Sequence, residues 1–354
     1  MKKILSMMMA MAVILLWGGC TGDVVTDDES GAAGKKCAIG FDNGFVDHAL
    51  LSRATTSLGQ HHSTMGVYGW EKPQGAEEHS LFPNTKVNYV SGDDWAYYPL
   101  KYWENSSIYR FYAYAPHSEN VTISGTAGNM LFAIPGITVT GSNLQATATS
   151  ALKDNFSSAD DTDWMIARQP QENVQGTRRD KVEFVMNHIL AKIVVAAKLG
   201  TAIANDTEVT SVAINSISID QFETKADFKQ QSAPALAEWT LDTSAAKHSL
   251  QNANETALSA SPMYLIESLA IPQAVSASAK VRIKYTFTYS DSKEETYLFE
   301  ALLTDVLSVQ SIDKFEGGNC YTLMFTIDPH CITFDAGVAE WDENVDSGQL
   351  DVNV

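Results

Sequence analysis

Val281-Arg282-Ile283-Lys284-Tyr285-Thr286-Phe287 alternates apolar and polar side chains without a break. Successive side chains of a strand point to opposite faces, so this period of two predicts a half-buried β-strand. Outward from it the same grammar recurs. Ile108-Tyr109-Arg110-Phe111-Tyr112-Ala113-Tyr114 stops before Pro116, Met130 to Ile134 stops at Pro135-Gly136, and Tyr321 to Ile327 stops at Asp328-Pro329. β-branched and aromatic runs bounded by turn formers read as strands. Lys181 to Leu199 is more continuously apolar, but Val182, Phe184 and Met186 alternate at its start, which predicts a strand pair or one long strand. Many short strands at this spacing predict an all-β chain built of sandwiches.

The chain has 354 residues, about two domains' worth at ~100–200 residues each. Its 45% hydrophobic content excludes wholesale disorder. Between Asp154 and Asp180 it turns polar, through Gln169-Pro170-Gln171-Glu172-Asn173 and Gln175-Gly176-Thr177-Arg178-Arg179-Asp180. An exposed connection there divides a first sandwich, residues 54–180, from a second, residues 181–354. The 24 basic and 43 acidic residues leave a formal charge of −19. A chain this acidic, with no Lys/Arg cluster to reverse the sign locally, repels phosphate backbones, so no nucleic-acid partner is expected.

The start of the chain bears on the compartment. Lys2 and Lys3 precede an apolar run from Ile4 to Trp17. That run is too short to span ~30 Å of hydrocarbon as a helix, but it suits the core of a signal peptide. It ends in Leu16-Trp17-Gly18-Gly19-Cys20. Small residues before a cysteine resemble the bacterial lipoprotein signal, which implies a signal peptide over 1–19 and lipidation of Cys20. Trp17 departs from the strict form of that signal, while the two glycines keep the cleavage subsite open. An ordinary secretory signal is the alternative. The polar stretch after Cys20, with Asp27-Asp28-Glu29-Ser30-Gly31, reads as a solvated tether, and its acidic residues also resemble a surface-export signal of Bacteroidetes-type lipoproteins.

Catalytic chemistry finds no foothold. There is no G-x-S-x-G elbow, no phosphate-cradling glycine loop and no H-E-x-x-H pair, so neither an enzyme nor a cofactor is expected. His61-His62 reads as a surface loop, because neighbours on a strand point to opposite faces and chelate one metal poorly. Four cysteines are too few for a disulfide scaffold. A simple hairpin would hold Cys320 and Cys331 ~20 Å apart, beyond disulfide reach, which predicts buried free thiols. The aromatic cluster Trp95, Tyr97, Tyr98, Tyr102 and Trp103 reads either as a core strand or as a platform for a glycan or host surface ligand.

Several stretches, in order, resemble the fimbrillin family, the subunits of type V pili. Tyr109-Arg110-Phe111-Tyr112-Ala113-Tyr114-Ala115-Pro116 is similar to a strand of its N-domain, and Asp163-Trp164-Met165-Ile166-Ala167 to a second. Phe184-Val185-Met186-Asn187-His188-Ile189-Leu190-Ala191-Lys192-Ile193 resembles the strand that opens the C-domain. Ile271-Pro272-Gln273 is similar to a recurrent turn. Phe315-Glu316-Gly317-Gly318-Asn319-Cys320-Tyr321-Thr322-Leu323, with Phe334 and Val338-Ala339-Glu340-Trp341, resembles the C-terminal end.

The resemblance implies two transthyretin-like Greek-key β-sandwiches in tandem and a maturation step. In the family's shaft pilins an arginine-specific protease removes an N-terminal segment, which opens a groove that a C-terminal strand of the next subunit fills. Carried to this chain, residues 20–53 are tether and removable prosegment, cut between Arg53 and Ala54. Ile39, Phe41, Phe45, Val46, Leu50 and Leu51 would fill the groove, although Gly40 and Gly44 weaken a continuous strand. Arg178-Arg179 is a competing cut that would separate the two sandwiches. The donor strand would be Gln349-Leu350-Asp351-Val352-Asn353-Val354, with Leu350, Val352 and Val354 on one face; an edge strand of its own sandwich is the alternative. The implied partners are other fimbrial subunits, the protease, and the outer membrane through the lipid. The implied location is the cell surface or the fimbrium.

Overall fold

The computed structural model describes residues 37–42, 45–46, 62–91, 94–126, 128–141, 161–167, 171–231, 237–329 and 331–340. Its first half holds β1 (Phe45–Val46), β2 (Thr64–Pro73), β3 (His79–Ser91), β4 (Asp94–Ala96), β5 (Ser107–Ala115), β6 (Thr122–Thr126), β7 (Asn129–Thr138), β8 (Met165–Ala167), β9 (Gln171–Gln175) and β10 (Val185–His188). The second begins with β11 (Ala191–Leu199), the single turn α1 (Thr201–Ala204), β12 (Val209–Phe222), β13 (Lys225–Gln231), β14 (Ala237–Leu241), β15 (His248–Asn252) and β16 (Thr256–Ala257). It continues through β17 (Met263–Ala270), β18 (Gln273–Ala274), β19 (Lys280–Tyr289), β20 (Glu294–Leu302), α2 (Leu303–Ser308), β21 (Lys314–Phe315), β22 (Asn319–Asp328) and β23 (Cys331–Glu340). The protein is all-β, as the alternating runs predict. In β19 the alternation becomes burial: Val281, Ile283, Tyr285 and Phe287 all lie in the core.

The first sheet runs β1-β10-β8-β5-β2-β3-β4, with β9 also paired to β5. It wraps a core of Met65, Val67, Phe82, Phe111, Phe184 and Met186. In the second half, β17-β11-β22-β23 faces β15-β12-β19-β20 across a core that includes Ile193, Val195, Ile217, Ile283 and Phe325. β11 lies between antiparallel β17 and parallel β22, and every side chain from Ala191 to Ala197 is buried. A strand covered on both faces needs no polar alternation, which is why this run reads as continuously apolar.

The Lys181–Leu199 run is indeed a strand pair, but its members serve different sheets. β10 completes the first, β11 opens the second, and the chain passes between them through buried Ile189 and Leu190. The two halves of the chain also share an element that no local pattern announces. β6 and β7 from the first half join β13 and β14 from the second in one sheet, ordered β14-β13-β7-β6. Its inner face packs Phe132, Ile134, Ile137 and Phe228 onto Tyr114, Ile166, Ile189, Leu190, Leu269 and Ile271. A third core therefore joins the halves. Cleavage at Arg178-Arg179 would nick this body rather than separate it, because β7 and β13 remain paired from Lys225 opposite Thr138 to Gln231 opposite Leu131.

Cys320 and Cys331 are free thiols, as expected, but neither is fully buried. In the β22–β23 hairpin Cys320 stands opposite Ala339 and Cys331 opposite Asp328, so the hairpin does hold them apart. Cys320 is half-buried and burial pushes its thiol pKa up, whereas Cys331 is exposed where the edge strand β23 begins. The expectation of two buried thiols holds only in part for Cys320 and fails for Cys331, which starts a strand with a neighbour on one side only.

Candidate functional site

Cys37-Ala38-Ile39-Gly40-Phe41 has the period of a strand, and the structure uses it as one. Cys37, Ile39 and Phe41 point into the first core and are 7%, 1% and 1% exposed. On one side Ala38 pairs antiparallel with Tyr102; on the other Phe41 pairs parallel with Val182. Ile39 donates its N–H to the Lys101 carbonyl (2.8 Å), and Trp103 donates to the Cys37 carbonyl (3.0 Å). Val182 donates to Gly40 (2.8 Å) and accepts from Asp42 (3.0 Å). The parallel pairing resumes in β1, with Phe45 opposite Val185 and Val46 opposite Met186.

Phe41 is the anchor. Its ring lies 5.4 Å from Phe82, 5.6 Å from Tyr97, 6.1 Å from Phe111 and 6.2 Å from Phe184, centroid to centroid. Tyr97 also clamps the backbone: its hydroxyl donates to the Ile39 carbonyl (2.7 Å) and accepts from the Lys101 N–H (3.2 Å). Burial pushes the Tyr97 phenol up to about 12, so it is a permanent donor at physiological pH. Gly40 does not break the strand, since even an added Cβ would meet only the flexible Lys181 side chain, at 3.2 Å.

The energies nearly balance. Three buried side chains at ~1.5–3 kcal/mol each give about 5–9 kcal/mol gross. The five of these hydrogen bonds in which the segment itself takes part add about 1 kcal/mol net each. Ordering six residues opposes this by about 6–12 kcal/mol. A margin of a few kcal/mol holds the segment, and it closes a groove whose walls belong to the rest of the fold.

One wall continues into the loop between β9 and β10. Gly176 N–H donates to the Ser107 carbonyl (2.9 Å), and a Cβ there would strike the Glu104 carbonyl oxygen at 1.9 Å, so the turn is built for glycine. Arg178 N–H closes onto Gln175 (2.9 Å). Arg179 has a left-handed φ of +56°, its guanidinium donates to Asn105 Oδ1 (2.6 Å), and its carbonyl oxygen faces the Cys37 thiol at 3.8 Å.

Of the residues the sequence singled out, Ile39 and Phe41 meet in this groove, and the backbones of Phe45 and Val46 extend it. Cys20, Gly44, Leu50, Leu51, Arg53, Ala54, His61, Leu350, Val352 and Val354 lie outside the described residues; His62 is half-buried. Trp95, Tyr97 and Trp103 belong to the core around the segment, which leaves only Tyr98 (90% exposed) and Tyr102 (38%) of that cluster facing solvent. The sequence missed Cys37, the Lys101–Trp103 wall and the Tyr97 clamp. The aromatic density of residues 95–103 marked the place but not its role. Among the described residues no three His, Cys, Asp or Glu side chains are placed to hold a metal, and no helix is long and apolar enough to cross a membrane.

A family model described as fimbrillin-like matches residues 52–341. No curated protein matches the chain by sequence. Among solved structures, a fimbrial protein from Bacteroides vulgatus is 16% identical, with a TM-score of 0.57 over 86% of this chain and 99% of its own. A candidate cell adhesion protein from Bacteroides ovatus, also 16% identical, has a TM-score of 0.52 over 88% of this chain and 99% of its own. At such identities the likeness is one of fold.

Proposed function

Because the chain belongs to the fimbrillin-like family, we propose that it is a cell-surface fimbrial subunit whose residues 37–42, with Phe45 and Val46, are a provisional strand, exchanged for a strand of another subunit. The observation that carries this is the place of Cys37-x-Ile39-x-Phe41, which fills a core yet precedes Arg53 in the chain. In this reading the signal peptide 1–19 is removed, Cys20 carries the lipid that holds the precursor at the outer membrane, and an arginine-specific protease cuts between Arg53 and Ala54. The groove between Lys101–Trp103 and Val182–Met186 then takes the incoming strand, and a segment such as Gln349–Val354 supplies one. The fold's part is to position donors, acceptors and apolar pockets, and the reading assigns it no catalysis and no cofactor.

The test uses protein beginning at residue 21, exposed to a limiting arginine-specific protease. Fragments are mass-mapped and run beside a Val345–Val354 deletion on a size-exclusion column. A first cut at Arg53 with oligomers that need the deleted residues supports a polymerising subunit. A clean Arg53 cut that leaves monomers points to an anchor, a tip or a ligand-binding lipoprotein. The exposed rings of Tyr98 and Tyr102 favour that second reading: a monomer whose glycan or host-cell binding is lost on Tyr98→Ala would establish it.

A further inference from the structure

We infer that Arg178-Arg179 is a second, conditional proteolytic site, withheld from cleavage by residues 37–42. The loop already shows its charge to solvent: the Arg178 side chain is 46% exposed and that of Asp180 73%. Exposure alone does not make a substrate. A protease takes several residues on both sides of the bond in extended form, so a folded loop must first open locally.

Opening is opposed at named atoms. Arg179 sits at φ +56°, outside the extended region, with its carbonyl against the Cys37 thiol. Three residues later, Val182 is tied through its N–H to Gly40 and through its carbonyl to Asp42. Cys37, Gly40 and Asp42 all belong to the N-terminal segment. Independent of it are the Arg179–Asn105 bond, the Gly176–Arg178 turn, and the exposed ion pairs of Arg178 with Asp180 (3.5 Å) and of Lys181 with Asp94 (3.4 Å), which water screens. When the segment leaves its groove, the loop loses all three of these contacts at once.

The biological order of events rests on the proposed function: departure of the segment after the Arg53 cut would expose the second site. Hydrolysis there adds one water across the peptide bond after Arg178 or Arg179, leaving a carboxylate and an ammonium group. The nick falls on the groove itself, since Val182 is part of its wall. β10 stays in place through β8, with Met186 opposite Ala167 and His188 opposite Met165. The product is a nicked, associated subunit in which one wall of the groove is no longer covalently joined to β9.

The experiment compares full-length Arg53→Gln with Arg53→Gln/Phe41→Ala under limiting arginine-specific protease, following each cut by mass spectrometry. The first variant cannot lose its segment by cleavage, and the second holds it weakly. Cys37 modification by a maleimide reports whether the segment has left, and cleavage at Arg282 in β19 reports loss of the whole fold. The expected result is cleavage at Arg178 or Arg179 about tenfold faster in the second variant, the change that loss of one or two net hydrogen bonds makes to a local opening equilibrium, with Arg282 unchanged. Equal rates at Arg178-Arg179 despite a reactive Cys37 would overturn the inference. If Arg282 is cut faster too, Ile39→Ala replaces Phe41→Ala and the same comparison decides. Failure of wild-type protein to be cut at Arg53 would sink the maturation reading and leave this comparison intact.

Discussion

Phe41 touches four aromatic rings, and a truncation in such a place ordinarily costs ~3–5 kcal/mol. The segment that carries it is different from an ordinary core element, because it can leave as a unit once its small margin is gone. Losses on it should therefore saturate. Phe41→Ala and the double variant Ile39→Ala/Phe41→Ala are expected to have the same unfolding free energy in urea, within ~0.5 kcal/mol, where independent sites would add. An additive double variant would mean that the segment stays docked through the first substitution.

At the scale of elements, β19 and β20 are joined by charge as well as by backbone. Arg282 donates to Asp220 on β12 (2.7 Å) and to Glu300 on β20 (2.8 Å), and Lys280 pairs with Glu300 (2.5 Å). Burial pushes the Asp220 carboxyl up, but Arg282 and the Lys280 N–H outweigh it and hold the pKa below the usual value; Lys280 and Arg282 do the same for Glu300. A carboxylate whose pKa is depressed by folding stabilises the fold above its unfolded value and loses that contribution as pH falls through the folded one. The contribution is thus complete above about pH 4 and is lost on further acidification. The urea midpoint of the wild type should fall more steeply on acidification below about pH 4 than that of Arg282→Ala; parallel profiles would refute the assignment. What the sequence showed of these elements depended on range. Val281 to Phe287 carried its own period, and Ile39 and Phe41 could be picked out as fillers, because alternation is a local property. The break at Ile189-Leu190 left no trace, since both of its residues are apolar and buried, as those of a strand would be. The pairing of Lys225 with Thr138, and of Ala38 with Tyr102, joins stretches far apart in the chain, and no local window reports such a partner.

For the molecule as a whole, the third core decides how the halves behave. Phe132, Ile134 and Phe228 tie β7 to β13, so neither half can unfold without exposing apolar surface of the other. One calorimetric transition is expected, with equal calorimetric and van't Hoff enthalpies; Phe228→Ala should lower it and begin to divide it. Two resolved transitions in the wild type would show that the sheet crossing between halves contributes little. The same long-range wiring also bears on the segment at the front of the chain. Cys37–Phe41 leaves the ribosome, and enters any export channel, before either of its neighbours exists: Lys101–Trp103 comes later, and Val182–Met186 much later. Such high contact order makes closure slow, and synthesis at ~5–20 residues per second delays it further. The earliest of these strands to be made is therefore kept waiting for the last wall of its own slot, and the first core cannot be sealed until the whole first half has crossed.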